Sequence, residues 1–533
     1  MMRKKELLTY ALLFLVIVFF AAIRFRLRNI PLERDEGEYA YVGQLMLQGI
    51  PPYKLAYSMK LPGTAAAYAV VTALLGQTPA AIHLGLLLVN AATTLLVYML
   101  AVRLSGRLAG LVAAASYALL STSFSVLGFA AHATHFVAFS AIAGILLLLK
   151  TVETRRAWQL FASGFLLGVS FLMKQPGIAF AIFGGLYLLK REWPYLINWK
   201  GLVSRVGLFL AAVLLPFALT CLVLFVAGVF RNFWFWVFTY AGEYASEVSV
   251  SDGVQIFTKI FPTILAPAIG VWIIAALGIT TLWWRDNRSC AGFIGGFLLC
   301  SFLAVCPGLF FREHYFILML PAAALLAGIA IDSATRLLAR TRRGLAFSAI
   351  PVLLFAVVFS YSVFQQRASL FALDPLQACQ ELYDDNPFPE ALVIANYIDA
   401  HSSANEQLAV LGSEPEIYFY AKRRSATGFI YVYGLMEQQK YSFEMQKQMI
   451  SEIQSTRPQF VVAVNSPLSW LPRVGSPQAL SFSAWANSYL GSQYELVAIT
   501  DRVDGHLEYH WDDEARAYHP RSQNTVGIFR RKG

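Results

Sequence analysis

Up to about residue 364 the chain alternates long apolar stretches with short polar ones; beyond that the pattern changes. The apolar runs cover 7–23, 81–102, 108–124, 131–149, 157–173, 176–189, 206–229, 261–284, 290–309, 314–335 and 345–364. Most approach the ~20 residues that one bilayer crossing needs. They predict a polytopic α-helical membrane protein of about eleven transmembrane helices over residues 1–364. Between the first two runs lies a long loop, 24–80, with a helix-like piece ending at Gly49 and a second at 64–76 that is too short to span. From 365 to 533, short β-like runs such as Leu408–Leu411 and Phe460–Val464 alternate with helix-like stretches near 388–400 and 435–456. That alternation predicts a C-terminal α/β domain.

Composition agrees with a lipid environment. Of 533 residues, 57% are hydrophobic and 14% charged, against about 25% charged in ordinary soluble domains. The first run follows Arg3-Lys4-Lys5 and is followed at once by Arg24, Arg26 and Arg28, so it reads as a retained anchor and not a cleaved leader. With the N-terminus cytoplasmic, the inner segments carry eighteen Lys and Arg and the outer short loops ten, six of them in loop 24–80. Cytoplasmic loops retain basic residues, so this count, with an odd number of spans, predicts an extracytoplasmic C-terminal domain; the expected location is the cell's inner (plasma) membrane. The same loops account for the net charge of +10, and no nucleic-acid partner is implied. The five cysteines form no readable disulfide framework.

This topology collects ionisable groups on one face. Loop 24–80 brings Arg34-Asp35-Glu36-Gly37-Glu38 and Lys60-Leu61-Pro62-Gly63. The same face receives His132 and His135 at a span edge, Lys174, an aromatic loop 230–260 and Arg312-Glu313-His314-Tyr315. Charges at a membrane boundary are costly unless they pair, meet water or serve a function. Asp35 stands three residues before Glu38, the spacing of a helix cap with its reciprocal partner, so Asp35 is the expected N-cap. His83 reads as a structural or interfacial residue, and His132 and His135 as polar lining or packing with no obvious carboxylate beside them. The Trp residues of 230–260 suit an interfacial belt, while Tyr240, Glu243 and Tyr244 fall at helical spacing and suit a sugar or acceptor contact. Glu414-Pro415-Glu416 reads as a loop opening a helix.

An Asp-Glu pair soon after the first span, Lys60-x-Pro62, Arg312-x-His314-Tyr315-Phe316 and Gly412-Ser-Glu-Pro-Glu-Ile-Tyr-Phe419 together resemble the GT-C type membrane glycosyltransferases. Nearest are the dolichyl-phosphate-mannose protein mannosyltransferase-like enzymes of glycosyltransferase family 39 and the aminoarabinose lipid A transferases. The resemblance covers the spans and the start of the tail. It implies an extracytoplasmic hexosyl or pentosyl transfer, with inversion, from a polyprenyl-phosphate-linked sugar to a hydroxyl of a glycan, lipid or protein acceptor. It further implies Asp35 as the catalytic base with Glu36 beside it, and Lys60, Lys174, Arg312 and His314 on the lipid phosphate. Lipids would line the spans. Aminoarabinose transferases carry a metal-holding Glu just before the loop lysine, and Met59 stands there in this chain, which argues against a metal.

Two other functions fit a chain of this kind. A polytopic transporter or flippase would show paired broken spans or repeats and charges deep in its spans. A lipid-linked oligosaccharide ligase would share the phosphate site and differ in donor length.

Overall fold

The computed structural model describes residues 4–193, 199–340, 347–471 and 476–533; the basic cluster Arg342 and Arg343 and the first residues of the last span lie outside them. The chain is a helical bundle carrying a C-terminal α/β region. The bundle comprises α1 (Lys4–Arg26), α2 (Arg34–Leu47), α3 (Gly63–Leu75), α4 (Pro79–Leu104), α5 (Arg107–Ser121), α6 (Ala133–Thr154), α7 (Ala157–Met173), α8 (Ile178–Glu192) and α9 (Trp199–Val226). It continues with α10 (Phe230–Trp234), α11 (Ala241–Ala245), α12 (Val250–Leu265), α13 (Ile269–Thr281), α14 (Arg288–Leu303), α15 (Leu320–Ala339) and a last helix, Ile350–Gln365. Among the described residues, six spans are long and apolar enough to cross a membrane: α1, α4, α6, α9, α12 with α13, and α15. Shorter apolar helices, including α5, α7, α14 and Ile350–Gln365, stand among them.

Why these stretches are helical and where they face follows from what they carry. The outer helices leave large apolar side chains uncovered, such as Phe14 on α1, Phe225 and Val226 on α9, and Leu353 and Val357 on the last helix. In lipid such a surface costs nothing, whereas every backbone polar group must be satisfied internally, which a helix does. At the centre, α15 is Ala-rich and buried from Leu320 to Ser333. Small residues let it lie close to α5: a Cβ on Gly328 would stand 2.3 Å from the Ala109 carbonyl oxygen. The expected single span 261–284 is two helices, because Pro267 lacks the N–H that would continue the helix across 266–268.

The C-terminal region holds one six-stranded sheet in the order β2-β1-β3-β6-β4-β5. Its strands are β1 (Gln407–Leu411), β2 (Arg424–Ser425), β3 (Phe460–Asn465), β4 (Tyr494–Val503), β5 (His506–Trp511) and β6 (Thr525–Arg531). β1 pairs parallel with β2 and β3, and the remaining pairs are antiparallel. The region sits directly on the first loop. Arg34 donates from Nη2 to Glu414 at 2.9 Å and to Asn386 at 3.0 Å, and from Nε to the Ser413 carbonyl at 2.5 Å. Gly37 lies so close to the helix Glu416–Ala421 that a Cβ would meet the Glu416 nitrogen at 2.6 Å. Glu414 thus sits in a loop and Glu416 opens the helix, as its sequence suggests.

Several of the basic residues that crowd loop 24–80 are absorbed by partners. Arg24 donates to the carbonyls of Gly128 and Ser121, both at 2.7 Å, and Arg26 to those of Leu373 and Leu370.

Candidate active site

The site is built on the first turn of α2. Its cap is Glu33, not the expected Asp35: Glu33 Oε1 accepts from the Glu36 N–H at 2.9 Å, and Glu36 Oε2 accepts from the Glu33 N–H at 3.2 Å. The capping box starts two residues earlier than the Asp-x-x-Glu spacing suggested. Asp35 is thereby released from any capping duty. Asp35 and Glu38, one turn apart and so on one face, both take the Lys60 ammonium, at 2.7 and 2.5 Å from Nζ. Tyr431, from the C-terminal region, donates its hydroxyl to the same Asp35 Oδ1 at 3.2 Å. The Lys60 ammonium also lies 4.6 Å from the centre of the Tyr39 ring.

The second oxygen of Asp35 faces two imidazoles. His132 Nδ1 is 3.8 Å and His314 Nε2 4.0 Å away, and the two rings stack at 4.0 Å with an interplanar angle of 13°. Lys174, at the end of α7, donates to His314 Nε2 at 3.3 Å and lies over the Tyr315 ring at 4.1 Å. Arg312 Nη2 reaches the Tyr244 hydroxyl at 3.4 Å. All of these line one cavity of about 460 Å³ together with Glu33, Tyr240, Tyr433 and Glu437. Burial by itself would raise the Asp35 carboxyl, but Lys60, the two imidazoles and Lys174 outweigh it and hold Asp35 well below the usual carboxylate range. Glu33, buried beside Asp35 and Glu36, is pushed well up instead. The two neighbouring carboxyls are thus shifted in opposite directions. Burial also lowers Lys174, to about 7.

Residues 60–219 match the sequence profile of the family described as dolichyl-phosphate-mannose-protein mannosyltransferase. The structure as a whole is similar to crystal structures of ArnT from Cupriavidus metallidurans. The apo state gives a TM-score of 0.59 at 17% identity, over 98% of this chain and 97% of that one. The fold is that of ArnT. A second ArnT structure, bound to undecaprenyl phosphate, gives 0.56 at 15% identity over the same shares. The archaeal oligosaccharyltransferase AglB from Archaeoglobus fulgidus, in complex with an inhibitory peptide and a dolichol-phosphate, gives 0.55 at 11% identity, over 97% of this chain and 75% of that one. No curated protein matches the chain in sequence. The resemblance read from the motifs therefore holds for the ArnT-like, GT-C type fold.

Within this ArnT-like frame, the residues singled out in the sequence divide into those at the cavity and those beside it. Asp35, Lys60, Lys174, Arg312, His314, Tyr240 and Tyr244 line it. Glu36 does not: it is fully buried and accepts from the Ala131 N–H at 2.6 Å and from His83 Nε2 at 3.0 Å. Glu36 thus locks α2 to the turn before α6, and His83 serves it structurally. Glu243 also misses the cavity, because its carboxylate turns to the exposed Lys440 ammonium. Tyr240 reaches the cavity and donates to Glu437 at 2.7 Å. The belt reading of the tryptophans fits exposed Trp234, whereas Trp236 is buried against Tyr57, 5.3 Å away and nearly parallel. His132 was expected to have no carboxylate nearby; folding brings both Asp35 and Glu33 beside it. Met59 offers no carboxylate, and its carbonyl accepts from Gln175 at 2.8 Å, so the metal position implied by the resemblance is not furnished at that residue. Sequence reading missed Glu33, Glu38 and Tyr431. For Glu38 the signal was present, since its three-residue spacing from Asp35 puts both on one helix face.

Proposed function

We propose that the chain is an integral membrane glycosyltransferase that moves a sugar from a polyprenyl-phosphate carrier to an acceptor hydroxyl on the outer face of the membrane, with inversion. The observation that carries this reading is the convergence of Asp35 with Lys60, Lys174 and Arg312 on one cavity at an end of the helical bundle. Donor phosphate needs cationic hydrogen-bond donors as its ester oxygen departs. Lys174 and Arg312 suit that task, because Lys60 is already shared between Asp35 and Glu38. The lipid phosphates bound to ArnT and AglB are what favour a lipid-phosphate donor for this chain too.

In the proposed displacement the acceptor oxygen bonds to the anomeric carbon, the bond from that carbon to the phosphate oxygen breaks, and the lipid phosphate leaves with the electron pair. The acceptor proton goes to Asp35. A carboxylate ringed by cations is a weak base, and the negative phosphate beside Lys174 and Arg312 offsets that field when donor is bound. Asp35 is therefore most basic when it is needed. Lys60, Glu38 and Tyr431 fix the orientation of the carboxylate, while Tyr240 and Tyr244 border the space for the sugar or acceptor.

The test is to supply the purified protein with a panel of polyprenyl-phosphate hexoses and pentoses and to follow free polyprenyl phosphate by mass spectrometry. Release by the wild type and not by Asp35→Asn is expected. Absence of release from every donor, together with unchanged lipid-linked sugars in cells lacking the gene, would overturn the proposal.

A further inference from the structure

We propose that Glu437 selects the transferred sugar: its carboxylate accepts hydrogen bonds from hydroxyls of the ring that leaves the lipid phosphate, and it restricts the donor to sugars without negative charge. The inference rests on the glycosyl-transfer reading above and names the substrate class of that site. It starts from the two-ended chemistry of the cavity. One end carries Arg312 and Lys174, the latter over the Tyr315 ring. The other is walled by Trp236, Tyr240, Phe429, Leu435 and Met445, which belong to one apolar cluster joining the aromatic loop to the C-terminal region. Glu437 brings a carboxylate to that apolar end.

The carboxylate is held in place from both sides of the cavity. Tyr240 donates its hydroxyl to Glu437 Oε2 at 2.7 Å. Gly434 makes that reach possible, since a Cβ there would stand 2.5 Å from the Tyr240 oxygen. A carboxylate offers about four lone-pair sites, so accepting from Tyr240 leaves it capacity for hydroxyls of a ligand. Asp35 and Glu38 are committed to Lys60 instead. Tyr244 links the two ends: Arg312 reaches its hydroxyl at 3.4 Å, and the ring lies within electrostatic reach of both Glu437 and Asp35. With the donor phosphate on Lys174 and Arg312, the anomeric carbon is one bond from a phosphate oxygen. Inversion brings the acceptor to the opposite face of the sugar, at Asp35. The remaining hydroxyls then point in the third direction, past Tyr244 to Glu437. Apolar walls suit the C–H faces of a sugar ring, and hydroxyls donated to a carboxylate make charge-assisted hydrogen bonds. A uronate in the same place would set like charges together, which costs several-fold more than a missing neutral contact.

The full chain in lipid nanodiscs is supplied with the panel of neutral polyprenyl-phosphate sugars, with undecaprenyl-phosphate glucuronate, and with undecaprenyl phosphate alone as a binding probe without sugar. The wild type should use the glucuronate with a kcat/KM at least about a hundred-fold below that of its best neutral donor. In Glu437→Gln, kcat/KM for the best neutral donor should fall roughly ten- to a hundred-fold, the loss of charge-assisted contacts, and the discrimination against glucuronate should shrink, while affinity for undecaprenyl phosphate alone is unchanged. Glu437→Asp keeps the charge and should restore the discrimination. Lys440→Met breaks the neighbouring ion pair to Glu243 outside the cavity and should alter none of these quantities. A merely structural role for Glu437 would weaken undecaprenyl phosphate and its sugar-bearing forms alike, and that result would overturn the proposal. So would a wild type that uses glucuronate as well as its best neutral donor, a measurement that decides the matter even if no Glu437 variant folds, or a folded Glu437→Gln that keeps both rate and discrimination. Release from no donor at all would instead show the transfer reading itself to be wrong, and Glu437's role with it.

Discussion

Replacing Asp35 by Asn tests the core of the proposed chemistry, because the structure separates its structural cost from its catalytic one. The cap of α2 belongs to Glu33, so Asp35→Asn removes no cap. The change does remove one of the two carboxylates that hold Lys60. Glu38 remains at 2.5 Å, and the Asp35 and Lys60 side chains are 21% and 19% exposed, so water in the cavity screens the lost charge. The amide oxygen can still accept from Tyr431. A stability loss of about 1–2 kcal/mol follows, the scale of one weakened charged hydrogen bond. Turnover should instead fall by roughly 10²–10⁴, as for loss of a general base, which is about 3–5 kcal/mol of barrier. Release of polyprenyl phosphate from the donor measures the second quantity and a thermal melt the first. Glu36→Gln should behave in the opposite way, losing stability through its contacts to Ala131, His83 and the cap and keeping most turnover once folded. A folded Asp35→Asn protein with turnover within ten-fold of wild type would refute the assignment of Asp35 as base.

Other outcomes follow from the same geometry. Arg312→Ala should weaken donor affinity about ten- to a hundred-fold, the loss of one charge-assisted contact, with little change in melting temperature because the guanidinium is exposed at the cavity; unchanged affinity would remove Arg312 from the phosphate site. Glu416 is fully buried with neither carboxylate oxygen hydrogen-bonded, and burial followed by Glu414 pushes its carboxyl well up. The folded chain therefore holds a proton that the unfolded chain has lost above the ordinary glutamate value, so this group makes stability fall as pH rises through that window. Glu416→Met should raise the melting temperature more at pH 7.5 than at pH 5, and an equal shift at both would contradict the protonated state. A reporter active only outside the cytoplasm should work when fused at residue 365 and fail after Arg342, and the reverse result would turn the site toward the cytoplasm.

The apolar runs by themselves dictated a lipid-embedded helical bundle, because a stretch near twenty apolar residues has few other stable environments and one bilayer-satisfied backbone conformation. The change of pattern near 365 likewise announced an α/β region, and the order of short motifs pointed to the ArnT-like fold. Asp35, Lys60, Lys174, Arg312 and His314 were legible as chemistry because charges at membrane boundaries are conspicuous. Which of them meet, and in what state, came only from tertiary structure. The cap moved to Glu33 because a capping box is chosen by the backbone geometry of the helix entry, and two acidic pairs in Glu33–Glu38 share the same spacing. Glu36 turned inward because His83 and the Ala131 N–H, distant in sequence, supply its partners. The meeting of His132 and His314 beside Asp35 joins residues 97 and 279 positions away from it, and Tyr431 arrives from the sheet-bearing region. Local periodicity carries no information on such encounters; packing of the bundle and docking of the C-terminal region on the first loop decide them.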